Sequence, residues 1–301
     1  MSIFIIAEIG INHNGSIKIA KEMIDMAVQA GFDAVKFQKR DINVVYTKEF
    51  LDSYRESPWG NTRRAQKEGL EFSKKEYDEM NQYCKAKNIE WFASAWDENS
   101  QRFLRQYNFK NNKIASPMLT HQPLLKMVAA EGKHTFISTG MSDYGHIDRA
   151  VDIFRNANCE FTLLHCVSTY PCADEECNVS VIPVLQSRYK CPVGYSGHET
   201  GLLPSVLAVA MGAVALERHI TLDRAMYGSD QAASLGKRGM ELLVRDARKV
   251  AQILGTGKKV VLAGEKAVER KLRYLNTEEI YCKSVPSNEP LRVGGSKETE
   301  S

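Results

Sequence analysis

The residues Gly194 to Ile220, GYSGHETGLLPSVLAVAMGAVALERHI, carry His198 just past one strand-like segment and Glu217 and His219 at the end of the next. If the two strands run parallel in consecutive β/α units, the imidazoles sit side by side with a carboxylate between them, a donor set that could hold a divalent metal. The alternative is that each is a hydrogen-bonded core histidine, the commoner state of a histidine near a strand end. A second group of residues points to anion binding. Lys36, Ser94, Lys113, Ser116, Ser138, Thr139, Ser168 and Ser196 all fall at the carboxyl ends of strand-like segments. Lysine supplies a mobile point charge and serine a short donor that costs little entropy, so several of them on one rim suit a phosphate. Taken singly, any of these serines reads as a turn or cap residue, and the convergence carries the argument. Gln38, Tyr170, Glu8 and Glu217 belong to the same rim.

Those side chains meet only if the elements between them alternate regularly. Ile3 to Ile9 reads as a first strand, followed by a helix with apolar residues Ile19, Met23, Met26, Ala27 and Ala30, capped by Ser16 and ended by Gly31. Strands follow at 33–38, 89–95, 112–118, 134–139, 159–167, 191–196 and 214–219, with helices at 73–86, from Asp97, and at 123–131, 146–156, 179–187, after Gly201 and 240–254. Period-2 alternation puts Lys36 and Gln38 on one side of the second strand. Eight β/α units over roughly 255 residues match a closed (β/α)8 TIM barrel, an α/β fold whose active site lies at the strand carboxyl ends. A doubly wound open sheet is the alternative, but the first βα turn, EIGINHNG, lacks GxGxxG spacing and no Walker pattern occurs. Residues 39–72 form a long insertion seeded with Tyr46, Phe50, Leu51, Tyr54 and Trp59, which reads as a lid or binding loop, or else as an ordered surface excursion.

Composition narrows the function classes. The chain of 301 residues is 43% hydrophobic and 26% charged, ordinary for a globular protein. A formal charge of +3 with acids and bases interspersed provides no basic stripe for nucleic acid. No apolar run is long enough for a membrane span or a signal peptide. The seven cysteines, an odd set without CxxC spacing, suggest free thiols in a reducing compartment such as the cytoplasm. The barrel is expected over 1–270, with 271–301 as a C-terminal tail.

AEIGINHNG, VKFQ, STGM at 138–141, the HC and YP of 165–171, GYSGHETG, LERHITLD and GSDQAASL, spread over residues 3 to about 270, resemble the sialic acid synthase family. GYSGHETG and GSDQAASL look closest to its animal-type branch. The resemblance implies condensation of phosphoenolpyruvate with N-acetylmannosamine, mannose or a related aldose, 6-phosphorylated or not, to a nonulosonic 3-deoxy-2-keto acid and phosphate. It implies that His198 and His219 hold manganese or magnesium. By the same resemblance Lys36, Lys113, Ser116, Ser138, Ser168 and Ser196 hold phosphoenolpyruvate, Ser94 stands where a threonine is common, and Glu8, Gln38, Tyr170 and Asp230 lie near the sugar; for the implied reaction Glu8 and Glu217 are the carboxylates best placed to handle the protons, either one as acid or base. Relatives usually continue into an antifreeze-like domain that offers an arginine to the partner's barrel in a homodimer, whereas 283–301 here reads as a disordered tail. Pro117-Met118 and Gly197 also depart from the common pattern, Gly197 standing where some members carry aspartate. The competing readings are a metal-dependent pyruvate aldolase or lyase and a non-catalytic sugar-phosphate-binding barrel.

Overall fold

The computed structural model describes residues 3–273. Eight strands, all parallel to their neighbours, close a barrel: β1 (Phe4–Gly10), β2 (Ala34–Lys39), β5 (Glu90–Ala95), β6 (Asn111–Ile114), β7 (His134–Ser138), β8 (Phe161–Cys166), β9 (Val193–Gly197) and β10 (Ala215–His219). They are paired in chain order, with β10 returning to β1. Helices α1 (Ile17–Ala30), α5 (Lys74–Ala86), α6 (Glu98–Leu104), α7 (Gln122–Ala129), α8 (Tyr144–Asn156), α9 (Val181–Tyr189), α10 (Leu203–Ala210) and α11 (Lys237–Leu254) alternate with the strands. The fold is the (β/α)8 TIM barrel that the alternation predicts.

Local chemistry sets the element ends. Ser16 caps α1 by accepting from the Ile19 N–H, and Gly31 ends it in the left-handed region at φ 84°. The buried stripe of α1 is Ala20, Met23, Ile24 and Ala27, rotated slightly from the expected one, because Ile19 and Met26 lie at its margin. The expected strand 112–118 stops at Ile114; Pro117 has no N–H for a ladder, and Ser116–Met118 form a 3-10 turn. Inside the barrel, rings from strands that do not pair stack across the interior, Phe4 on Phe136 at 5.7 Å and Phe92 on Phe136 at 6.0 Å. Two residues further along the same faces stand Ser94 and Ser138, so an aromatic floor gives way to polar groups toward the strand carboxyl ends.

The insertion is ordered. It comprises α2 (Ile42–Val45), α3 (Lys48–Asp52), a hairpin of β3 (Tyr54–Ser57) and β4 (Gly60–Thr62), and α4 (Arg63–Leu70). The barrel unit spans Met1–Leu254, and a second unit starts at Gly255, so the expected limit at 270 takes in part of the latter. That second unit includes α12 (Ala263–Leu272). The reading of 283–301 as a tail concerns residues outside those described. No described helix is long and apolar enough to cross a membrane, and the six cysteines among the described residues are free.

Candidate active site

A cavity of about 330 Å³ opens at the carboxyl ends of the strands. Glu8, Lys36, Gln38, Ser94, Lys113, Ser116, Ser138, Ser168, Tyr170, Ser196, His198, Glu217, His219 and Asp230 all line it, so the structure brings together every residue of the expected rim but one. Thr139 does not join them; its hydroxyl turns to the Leu164 carbonyl at 3.0 Å.

Strand register explains the meeting. Glu8 pairs across the sheet with both Lys36 and His219, Ser94 with Lys113, and Glu217 with Ser196. The Lys36 Nζ lies 2.6 Å from Glu8 Oε2 and 3.6 Å from Glu217 Oε1. The Lys113 Nζ donates to Ser138 Oγ at 2.6 Å and to the Ile114 carbonyl at 2.9 Å, and stands 4.0 Å from Glu217 Oε1. Ser196 Oγ donates to that same Glu217 oxygen at 3.3 Å. On the other flank Gln38 Nε2 donates to Glu8 Oε1 at 2.6 Å. Gly140 allows the serines to close in: its N–H donates to Ser116 Oγ at 3.1 Å, and a Cβ there would come within 2.2 Å of Ser168 Oγ.

These buried charges do not share one protonation state. Burial pushes Glu8 up to about 7, against the pull of Lys36 and with help from Glu217. Glu217 is also buried, but Lys113 and Lys36 hold it below the usual carboxylate value. Burial takes Lys113 down to about 8 despite Glu217. For Lys36 burial acts downward too, yet Glu217 and Glu8 outweigh it and raise the ammonium. Ser94 Oγ and Glu217 Oε2 are buried with no hydrogen-bond partner, as expected of groups waiting for a ligand.

The imidazoles form the opposite wall. Their ring centres lie 5.4 Å apart, and Tyr170 packs against both, 4.0 Å from His198 and 5.7 Å from His219. His198 Nδ1 lies 2.6 Å from the Val167 carbonyl; as donor there, the neutral ring keeps its Nε2 lone pair free. His219 Nδ1 is buried without a hydrogen bond, 3.7 Å from Asp230 Oδ2, and burial lowers this ring to about 4. Burial pulls His198 down, but the Cys166 thiol and the Val167 carbonyl outweigh it and raise this ring above the ordinary imidazole value; once neutral, the two imidazoles fit a divalent ion that accepts nitrogen donors, better than they fit magnesium, which prefers oxygen. Among the described residues no group of three or more His, Cys, Asp or Glu converges to cage an ion. Any ion here would take the rest of its shell from water or substrate.

Several lining residues escaped the strand-end reading: Arg40, Tyr46 and Lys67 from the insertion, Trp96, Met141 and Cys166. Cys166 has a signal in the period-2 pattern of β8, which sends it inward while His165 turns out to the Cys177 carbonyl. Gly197 also finds its reason. A Cβ there would come 2.4 Å from Glu199 Oε2 and 2.6 Å from the Tyr195 ring, so the aspartate of some relatives has no room.

Fold and site together define a TIM-barrel enzyme with an anion cup and an imidazole pair on one rim. Residues 23–259 match the NeuB family, and the chain belongs to it. It is 40% identical over 272 residues to the N-acetylneuraminate-9-phosphate synthase of Homo sapiens, covering 89% of this chain and 76% of that protein. It is 36% identical to the N,N'-diacetyllegionaminic acid synthase of Legionella pneumophila, covering 86% and 75%. The crystal structure of N-acetylneuraminic acid (sialic acid) synthetase from Leptospira borgpetersenii in complex with citrate superposes with a TM-score of 0.79 at 33% identity, over 91% of this chain and 94% of that one. The protein is an enzyme of the sialic acid synthase type.

Proposed function

We infer that the cavity condenses phosphoenolpyruvate with an aldose to give a nonulosonic 3-deoxy-2-keto acid and phosphate. The observation that carries this reading is the cup: two buried lysines, Lys36 and Lys113, with Ser94, Ser116, Ser138, Ser168 and Ser196 on one rim. Pyruvate alone would not need so many donors, which counts against the aldolase reading, and the complete set of charges counts against a retired binding barrel. Lys113 and the serine hydroxyls hold the phosphate, and Gln38, Tyr170 and Asp230 border the sugar. His198 and His219 would hold a divalent ion, which supplies Lewis acidity to a carbonyl oxygen when bound.

The enol carbon attacks the aldehyde carbon of the open-chain sugar, forming the C–C bond and leaving an alkoxide. Glu8, protonated below about 7, donates a proton to that oxygen. Water adds to the cationic carbon that remains, and Glu217, beside Ser196 and both lysines, takes the proton the water releases. The tetrahedral product then loses its hydroxyl proton as the C–O bond to phosphate breaks, which leaves the keto acid. The test is phosphate release with phosphoenolpyruvate, manganese and a panel of N-acetylmannosamine, mannose and their 6-phosphates. Release should depend on sugar, and no sugar-dependent release across the panel would overturn the reading.

A further inference from the structure

We propose that Arg40, at the start of the insertion, is a positioning residue for the acid of the cavity: by holding the carbonyl end of the Gln38 amide it keeps the amino end on Glu8, and so leaves the Glu8 proton for the substrate. This rests on the function inferred above, in which Glu8 is the proton donor, and deepens it.

An amide side chain can turn over within nearly the same volume, which exchanges a donor for an acceptor. Two contacts decide which end of Gln38 faces which neighbour. Its Nε2 donates to Glu8 Oε1 at 2.6 Å, and its Oε1 accepts from Arg40 Nη2. A guanidinium donates and never accepts, so Arg40 admits only the carbonyl oxygen. Glu8 is less selective. The Lys36 ammonium stands 2.6 Å from Oε2, so Oε1 is the oxygen that carries the proton when Glu8 is neutral, and Oε1 is the one Gln38 faces. A neutral carboxyl can still accept from the amino end through its remaining lone pair, or it can donate its O–H to a carbonyl. Without Arg40 the amide can turn, and the proton is then held in a hydrogen bond to the Gln38 oxygen. With Arg40 in place that oxygen is occupied, and the O–H points to the cavity.

Arg40 can fix Gln38 because it is itself fixed. It is buried, its guanidinium lies over Trp96 at 4.1 Å from the ring centre, and its Nη1 and backbone N–H donate to the two oxygens of Glu71 at 3.5 and 3.2 Å. The next residue is anchored as well, the Asp41 N–H donating to Asp97 Oδ2 at 2.7 Å. Gln38 is pinned through its backbone carbonyl, which accepts from the Tyr77 hydroxyl at 2.9 Å. Gly10, at φ 55°, closes the group from the β1 side: a Cβ there would stand 2.9 Å from Glu8 Oε1 and 3.0 Å from Gln38 Nε2. Glu71 caps the end of α4, so the insertion is tied through Arg40 and Gln38 to the acid on β1.

The test uses the full chain with manganese, saturating phosphoenolpyruvate and the best acceptor of the sugar panel. Arg40→Met keeps a stem over Trp96 and removes the donors; it should lower kcat by about 10–100-fold and leave the KM for phosphoenolpyruvate within about twofold. Arg40→Lys retains a donor and should keep most of the rate. In a Gln38→Met background, where no amide is left to turn, Arg40→Met should lower kcat by less than about threefold more. Losses that multiply in the double variant, or an Arg40→Met rate near wild type, overturn the proposal and leave the condensation in place. Absence of turnover with every sugar would instead remove the condensation reading, and the amide orientation then decides the role of Arg40. Neutron diffraction from deuterated crystals, at a pH where Glu8 keeps its proton, should show the amino end of Gln38 facing Glu8 in the wild type and the oxygen facing it in Arg40→Met. The same orientation in both contradicts the proposal. Should Arg40→Met fail to fold, Arg40→Leu removes the same donors with a shorter side chain.

Discussion

Strand β10 carries buried charge on both of its faces, and the two sides are built differently. Outward, Arg218 is fully buried against Glu199: its Nη1 donates to Glu199 Oε1 at 2.7 Å, to Ser205 Oγ at 2.8 Å and to the Gly201 carbonyl at 3.0 Å. The other carboxylate oxygen accepts from the Tyr195 hydroxyl at 2.9 Å, and Nη2 reaches the Glu199 carbonyl. Only the Arg218 Nε lacks a partner in that group. Inward, Glu217 Oε2 and His219 Nδ1 are both left unpaired, as is Ser94 Oγ across the cavity. Burial is similar on the two faces, and compensation is not. A pair that satisfies itself holds structure, whereas polar atoms kept open at equal burial mark where a ligand completes the shell.

The largest effect should come from breaking the outer face. Arg218→Met leaves the Glu199 carboxylate buried and alone, and should lower stability by about 3–5 kcal/mol in urea unfolding. A loss under about 1 kcal/mol would remove the distinction between the faces. Next comes the inner face, where His219→Ala should reduce turnover by about three orders of magnitude and weaken metal affinity. Its melting temperature should stay within a few degrees of wild type. A structural histidine would give the reverse, a large fall in melting temperature with metal dependence unchanged.

The pH dependence separates the two carboxylates of the cavity. With Glu8 at about 7 in the folded state against 4.5 for a free group, the folded chain keeps a proton between those values that the unfolded chain has released. Its contribution to stability is therefore full below 4.5 and is lost as pH rises through about 7. Glu8→Gln should flatten stability across that window, measured by denaturant unfolding at intervals of pH. In the wild type the rate should also fall as pH passes about 7, if Glu8 gives up its proton as the acid. An unaltered stability slope in Glu8→Gln would return Glu8 to the ordinary carboxylates. The smallest effect belongs to Ser94→Ala. Removing a buried hydroxyl that has no partner should change stability by less than about 0.5 kcal/mol while weakening phosphoenolpyruvate binding several-fold, as calorimetry would record.

The part of this site legible in the sequence is the part with a strand-end address. Glu8, Lys36, Ser94, Lys113, Ser138, Ser196, Glu217 and His219 stand on strands or at their ends, where period-2 alternation and the β/α rhythm say which way they face and where they meet. Arg40 and Lys67 had no such address. They lie in the insertion, whose position across the mouth depends on long-range contacts such as Gln66 with Tyr227 and Trp59 with the same ring. Ser116 was placed on a strand and sits in a turn, yet it still reaches the cavity because Gly140 draws close to it. The outward network of Arg218 with Glu199 was illegible for a related reason: the GHETG and LERH segments name the residues, but only the closed barrel shows that they face each other behind the histidines.

The most direct measurement of the reaction uses phosphoenolpyruvate labelled with oxygen-18 at the oxygen bridging carbon 2 and phosphorus, together with an accepted sugar and manganese, and follows the label by mass spectrometry. Attack of water on the carbon beside Glu217, followed by C–O cleavage, predicts that the label leaves with inorganic phosphate and that the product gains three carbons over the sugar. Label retained in the organic acid, or phosphate released without a lengthened sugar, would contradict it.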